Sequence, residues 1–254
     1  MKQRIALVLF IIVLMVMPFL GMWYSPSLPF KPDFPAISSF LARQQAFIMF
    51  MVPKINNANN EIFITRTQIL NLLASQKNNT ALSYSALSWL SEIADVYQVP
   101  NFEITNSASV SELLNRVDTI PTSLILAQAG DESGWGASRF AVDADNFFGE
   151  HCYVAGCGLL PIGSNASIGF EIEKFSTAQE SINDYLYNLN TNPAYSGFRA
   201  MRAELRAHNE PLAGFRLAPF LTHYSILGNR YDLQISSIIV SQNLMQYDAA
   251  NNGF

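Results

Sequence analysis

A mostly α-helical α+β domain behind an N-terminal apolar segment is the fold class that this sequence predicts. Three observations carry it. Apolar residues recur at helical spacing over most of the chain, one stretch at residues 169–175 alternates with period two, and residues 5–23 are almost wholly apolar. The 254 residues suffice for one good-sized domain plus an anchor or tail, and a hydrophobic fraction of 50% assures a core. The net charge of −5 excludes the basic surface that a nucleic-acid partner would need.

The chain opens with Lys2 and Arg4 and then carries no charge through residue 30. Taking this +2 away from −5 leaves −7 on the remainder, so everything beyond residue 30 is more acidic still. The nineteen residues 5–23 would span about 28 Å as a helix, close to the thickness of a bilayer core. Basic residues ahead of the run place the N-terminus in the cytoplasm and export the rest. An uncleaved anchor is the first reading and a cleaved signal peptide the second, since no small-x-small site follows the run. Residues 24–37, with four prolines in YSPSLPFKPDFPA, read as an extended linker.

Residues 38–116 read as a helical lobe whose role is packing. Residues 38–51 carry Phe40, Leu41, Phe47, Ile48 and Met51 on one face, and Pro53 is expected to end or kink that helix. Further helical patterns cover residues 60–75 and 82–97, and Ser109 with Glu112 makes a capping-box spacing for a short helix to about Arg116. A second unit spans residues 117–247, with 248–254 as a tail. It starts with a helix at Pro121, where a missing N–H costs nothing. Leu124, Ile125, Leu126, Ala127 and Ala129 leave it almost no polar face, which predicts a central buried helix ending in Asp131 and Glu132. Carboxylates there face the negative end of the macrodipole, which disfavours ionisation and suits a general acid.

Glycines and a proline punctuate residues 150–169 before GFEIEKF alternates, predicting a small β flap with Glu171 and Glu173 on one face. Helix resumes at Ser176, with Gln179 at capping-box spacing and a stripe of Ile182, Tyr185, Leu186 and Leu189. Three more helical stretches follow at residues 193–208, 211–223 and 230–246. Cys152 and Cys157, the two cysteines of the chain, read as one disulfide closing a short loop. A metal site recruiting His151 is the rival, but the other histidines lie far off in sequence and zinc wants four ligands. No cofactor motif is present.

The chemistry concentrates in AQAGDESGWGASRFAVDADNFFG, residues 127–149. Glu132 stands at a helix end directly before Ser133-Gly134-Trp135-Gly136, which delivers an acid to a cleft wall beside an aromatic ring. Glycoside hydrolysis asks for such a protonated acid and usually for a second group that activates water or stabilises the oxocarbenium ion. Glu171 and Glu173 lead as that second carboxylate, ahead of Glu150 and Asp131. Trp135 suits a sugar-stacking platform or a lid on the core, Asn146 suits orienting the acid or capping a turn, and Tyr224 and Tyr231 suit a cleft lining or the core. No Gly-x-Ser-x-Gly or HExxH motif offers another scheme.

These residues resemble a known family. QAGDESGWG and NFFG are similar to the motifs of bacterial glucosaminidase domains of glycoside hydrolase family 73. VDTIPTSLILAQ, ESGWGASRFA, GCGLLP, NLNTNPAYSGFR and LTHYSILGNRYD resemble its Bax-type branch more closely, over residues 38–247. The resemblance implies a lysozyme-like fold and cleavage of the β-1,4 bond between N-acetylglucosamine and N-acetylmuramic acid in peptidoglycan strands. It places the family's catalytic glutamate on Glu132 and its tyrosine motif approximately on Tyr224 and Tyr231; the flap glutamate of some members has no unambiguous counterpart in this sequence, and Glu171 is taken for it. Asp131 departs from the family, which usually has a neutral residue there. The expected protein is therefore a wall-facing hydrolase, anchored in the inner membrane or secreted. The rivals are a muramidase or lytic transglycosylase, and a non-catalytic glycan-binding protein.

Overall fold

The structure is a computed structural model that describes residues 30–164, 168–221, 224 and 229–248. The expected anchor at 1–23, the linker up to residue 29 and the last six residues lie outside the described residues. Among those described, no helix is long and apolar enough to cross a membrane.

Helix α1 (Phe40–Lys77) runs on through Pro53, where the sequence reading expected the helix to end or kink, so the proline does not end it. Pro53 removes one amide donor, yet the helix continues as 38 residues. Phe47, Phe50 and Met51 before the proline and Ile55, Ala58 and Ile62 after it are all buried, so packing on both sides outweighs one lost hydrogen bond. Helix α2 (Tyr84–Val96) is capped by Ser83. Helix α3 (Ser107–Arg116) is capped by Asn106, whose Oδ1 accepts from the amides of Ala108 and Ser109. Ser109 does not cap it; its hydroxyl accepts from Glu103 N at 3.0 Å.

Helix α4 (Thr122–Ser133) is the centre of the fold, buried at every position from Thr122 to Gly130 and packed by α1 and the C-terminal helices. Its start is pinned by Asp248, whose carboxylate accepts from Ser123 N at 2.8 Å and Ser123 Oγ at 2.7 Å. Asp248, the first residue of the tail read from the sequence, is buried against the core. Helix α5 (Arg139–Ala144) follows, and then a three-stranded antiparallel sheet of β1 (His151–Cys152), β2 (Gly158–Leu159) and β3 (Glu171–Glu173), with β3 in the middle. The Cys152–Cys157 disulfide closes the loop from β1 toward β2. Ile172 points inward while Glu171 and Glu173 share the other face, as the alternation requires.

Helix α6 (Ala178–Thr191) begins at a capping box one residue beyond the expected one. Thr177 Oγ1 accepts from Glu180 N, and Glu180 Oε2 accepts from Ser176 N. Ile182, Tyr185, Leu186 and Leu189 are its buried stripe, as expected. Helices α7 (Ser196–Ala207), α8 (Gly214–Leu217) and α9 (Asn229–Ser241) complete the domain, with short 3-10 turns between them. The mostly α architecture with one small sheet agrees with the sequence reading.

One ionic hub ties these helices together. Asp118, just ahead of α4, is 2% exposed and faces three guanidinium groups, Arg206 at 2.9 Å, Arg66 at 3.7 Å and Arg202 at 3.8 Å. Arg202 also donates to the carbonyls of Asn115, Asp118 and Thr119 and to Asn190 Oδ1. Burial alone would raise the Asp118 pKa, but Arg202, Arg66 and Arg206 together bring it below the ordinary aspartate value.

Candidate active site

The turn that follows α4 fixes Glu132. Gly134 caps the helix in the left-handed conformation, at φ 58°. Ser133 Oγ donates to Ala129 O and accepts from Gly136 N at 2.8 Å, closing the turn from inside. Trp135 takes the left-handed region too, at φ 57°, which a bulky residue adopts only when packing demands it. Its ring lies edge-on to Phe47 at 5.7 Å and directly over Gly130, where a Cβ would come within 3.0 Å of it. The indole is thus the peg that holds the turn, and Glu132 is left at the surface of the cleft.

A chain of hydrogen bonds runs to the Glu132 carboxylate. The buried Tyr185 hydroxyl donates to Gln128 Oε1, Gln128 Nε2 donates to Tyr231 OH at 2.9 Å, and Tyr231 OH donates to Glu132 Oε1 at 3.0 Å. Each step fixes the next: the tyrosine hydrogen sets which end of the Gln128 amide is oxygen, and the amide hydrogen turns the Tyr231 proton toward the glutamate. Oε1 is therefore a standing acceptor, which leaves Oε2 to carry a transferable proton. Burial of one flank raises the Glu132 pKa above the ordinary value of 4.5; the Tyr231 hydrogen bond opposes this, and the Asp131 charge adds to it. Replacing Tyr231 by phenylalanine removes the opposing contribution. The expected result is a further rise in the Glu132 pKa, so that activity dependent on its proton persists to higher pH while the rate falls; a pH–rate profile compared with wild type checks the direction of the shift.

Glu132 opens into a cleft of about 790 Å³ whose lining is more polar than apolar. Tyr224 forms part of the floor, stacked on Tyr231 at 5.4 Å with its hydroxyl donating to Phe148 O at 2.8 Å. Two further acidic residues line the cleft, Glu150 and Asp184, and the carboxyl oxygens of Glu150 are themselves buried. Burial holds the Glu150 pKa well above the ordinary glutamate value, and Asp184 and Glu173 add repulsion; its own backbone N–H and the nearby Ser181 hydroxyl relieve this only in part. Burial also raises Asp184.

The other sequence candidates have different surroundings. Asn146 is buried beneath the NFFGE loop: its Oδ1 accepts from the amides of Phe148, Gly149 and Glu150, and its Nδ2 donates to the carbonyls of Glu150 and Glu173. It fastens the loop that carries Glu150 to strand β3, and its side chain is outside the cleft lining. Glu171 also lies outside the lining. Its two oxygens accept from Gly156 N at 3.0 Å and Gly158 N at 2.7 Å, bonds that lower its pKa and hold the disulfide loop against the sheet. Trp135 is core, as described, because Phe47 and Gly130 form a socket for it. The sequence reading gave Gln128 and Asp184 no functional role and placed Tyr185 in the apolar stripe alone; the one available signal was a glutamine inside an otherwise apolar helix.

An acid of raised proton affinity, oriented by a buried relay at the end of a central helix and facing a polar cleft with tyrosines in its wall, is an arrangement suited to glycosidic bond cleavage. Residues 107–244 match the family model described as glucosaminidase, mannosyl-glycoprotein endo-beta-N-acetylglucosaminidase. The chain is 34% identical over 201 residues to the Escherichia coli (strain K12) protein named "Protein bax", a match covering 79% of this chain and 70% of that relative. The chain belongs to the glucosaminidase family.

Proposed function

We propose that this chain is an exported peptidoglycan hydrolase that cleaves the β-1,4 bond between N-acetylglucosamine and N-acetylmuramic acid, with Glu132 as general acid. The observation that carries this reading is the Glu132 carboxyl itself, held by Tyr231 on one oxygen and open to the cleft on the other. Protonated Glu132 gives its proton to the glycosidic oxygen as the bond from the anomeric carbon breaks, and water then adds to the oxocarbenium-like carbon. Asp184, which lines the same cleft, acts in this reading as the group that accepts a proton from water. The polar lining of tyrosines and amides suits a hydroxyl-rich strand better than an apolar ligand. The apolar run at residues 5–23 supports an N-terminal inner-membrane anchor, or a cleaved signal.

The test is to digest peptidoglycan with the protein, reduce the products with borohydride and identify the new ends by mass spectrometry. Reduced N-acetylglucosamine ends are expected. Muramic ends, reduced or anhydro, would instead assign the protein to the muramidases or lytic transglycosylases, which also act through one acid. No new ends, with strands still bound, would mean a glycan-binding protein.

A further inference from the structure

Helix α6 has two working faces. Its apolar stripe is buried in the core, and the opposite stripe, Asp184, Tyr187, Asn188 and Thr191, lines the cleft at spacing i, i+3, i+4 and i+7. Seven residues at helical rise carry this stripe about 10.5 Å along the cleft, away from the end where Asp184 acts on Glu150. One residue of the cleft lining, Gln98, comes from outside the family-matched residues 107–244. Gln98, in the turn after α2, reaches across to donate from Nε2 to Tyr187 OH at 2.9 Å, one turn along the stripe from Asp184.

Gln98 is held for this contact. Its backbone is left-handed at φ 59°, locked by its amide on Asp95 O at 3.0 Å and by Val99 N on Ala94 O at 2.8 Å. Asn188 is held in turn by Asn192, whose Nδ2 donates to Asn188 Oδ1 at 3.0 Å. The Gln98 carbonyl oxygen and the Asn188 amide nitrogen have no partner among the described residues, and both side chains line the cleft. An acceptor, a donor and a tyrosine ring within one cleft wall match what a pyranose offers: hydroxyl and acetamido groups at its edge and an apolar face. An exposed glutamine–tyrosine pair adds little to fold stability, so packing does not account for the arrangement.

We propose that Gln98, Tyr187 and Asn188 form a distal glycan subsite, through which the N-terminal helical lobe binds the polysaccharide strand away from the bond that is cut. The proposal rests on the hydrolase reading above. The lobe then acts in substrate binding and sets a preference for longer strands.

The test uses the full chain carrying Gln98→Gly together with Tyr187→Phe. Glycine accepts the left-handed backbone at position 98 without strain, and phenylalanine removes one exposed hydroxyl, so neither change attacks the core. Cleavage of short and long peptide-free glycan strands is measured as kcat/KM, and binding of the same strands is measured in the Glu132→Gln background. The expected result is that the preference for long over short strands shrinks about tenfold in both measurements, in step with two lost hydrogen bonds. A preference that survives intact, or an equal loss on both lengths, overturns the subsite while leaving the hydrolase reading in place. If the parent protein neither binds nor cuts strands of any length, the hydrolase reading fails and the subsite with it.

Discussion

Glu132→Gln is expected to lower kcat on peptidoglycan by about 10²- to 10⁴-fold, the usual contribution of a general acid, while KM stays within a few-fold of wild type. The carboxamide keeps an oxygen to accept from Tyr231, so the relay from Tyr185 through Gln128 stays intact, but it has no proton to give. Folding should not suffer. Glu132 has a folded pKa raised above the ordinary 4.5, so the folded state holds the proton more tightly than the unfolded one. Such a group costs stability as pH rises from the unfolded value through the folded one. Removing the charge should therefore leave the neutral-pH Tm equal to wild type or higher. Steady-state kinetics beside a thermal melt tests both statements together. Activity within tenfold of wild type in a well-folded variant would remove Glu132 from the chemistry; lost activity with a lowered Tm would refute this account of its electrostatics.

The features that were legible in sequence are local ones. Glu132 could be found because a buried helix, a glycine-capped turn and an acid are consecutive in the chain. The disulfide needed only two cysteines at short spacing, and the alternation around Ile172 gave the face on which Glu171 and Glu173 lie. What the sequence hid is set by contacts between distant residues. Gln128 meets Tyr185 across 57 positions and Tyr231 across 103, so no spacing pattern announces the relay. Trp135 suits a cleft or a core equally as a residue type, and its place depends on Phe47 and on the missing side chain of Gly130. Glu171 and Glu150 are both flap acids in sequence. Two loop amides take up the first, while the Asn146 network fastens the loop that brings the second to the cleft. Asp184 lies on the face of α6 opposite its apolar stripe and reads as an ordinary solvated charge. Pro53 misled for a related reason, since a local rule predicts a break where long-range burial holds α1 together.

Asp118→Asn is expected to destabilise the fold by about 3–5 kcal/mol, a large part of the stability of a typical domain. Asparagine keeps the oxygen that accepts from Thr119 N, but its amide nitrogen replaces the oxygen that accepts from Arg206 Nε, so the loss is of the charge and of that hydrogen bond. It leaves Arg202 fully buried with Arg66 and Arg206 beside it and no anion to balance them. Burial already brings the Arg202 pKa down to about 10 even with Asp118 opposing it, and the three other arginines around it add to the lowering. The pH sign follows from the depressed Asp118 pKa: its stabilisation is complete above the ordinary aspartate value of 3.8 and fades as pH falls through the lower folded value. Wild type should therefore lose its advantage over the variant in acid, and urea titrations at neutral and acidic pH check this. The companion variant Asp118→Asn with Arg202→Met tests the cause, because removing both charges should recover much of the loss. A single variant as stable as wild type would show that solvent or backbone carbonyls already neutralise the arginines. The hub also bears on function. Asp118 sits directly before α4, which presents Glu132, while Arg202 holds Asn190 near the end of α6, which lines the cleft. A partly folded Asp118→Asn protein should accordingly lose activity at temperatures below its main unfolding transition, as these two helices lose their common anchor.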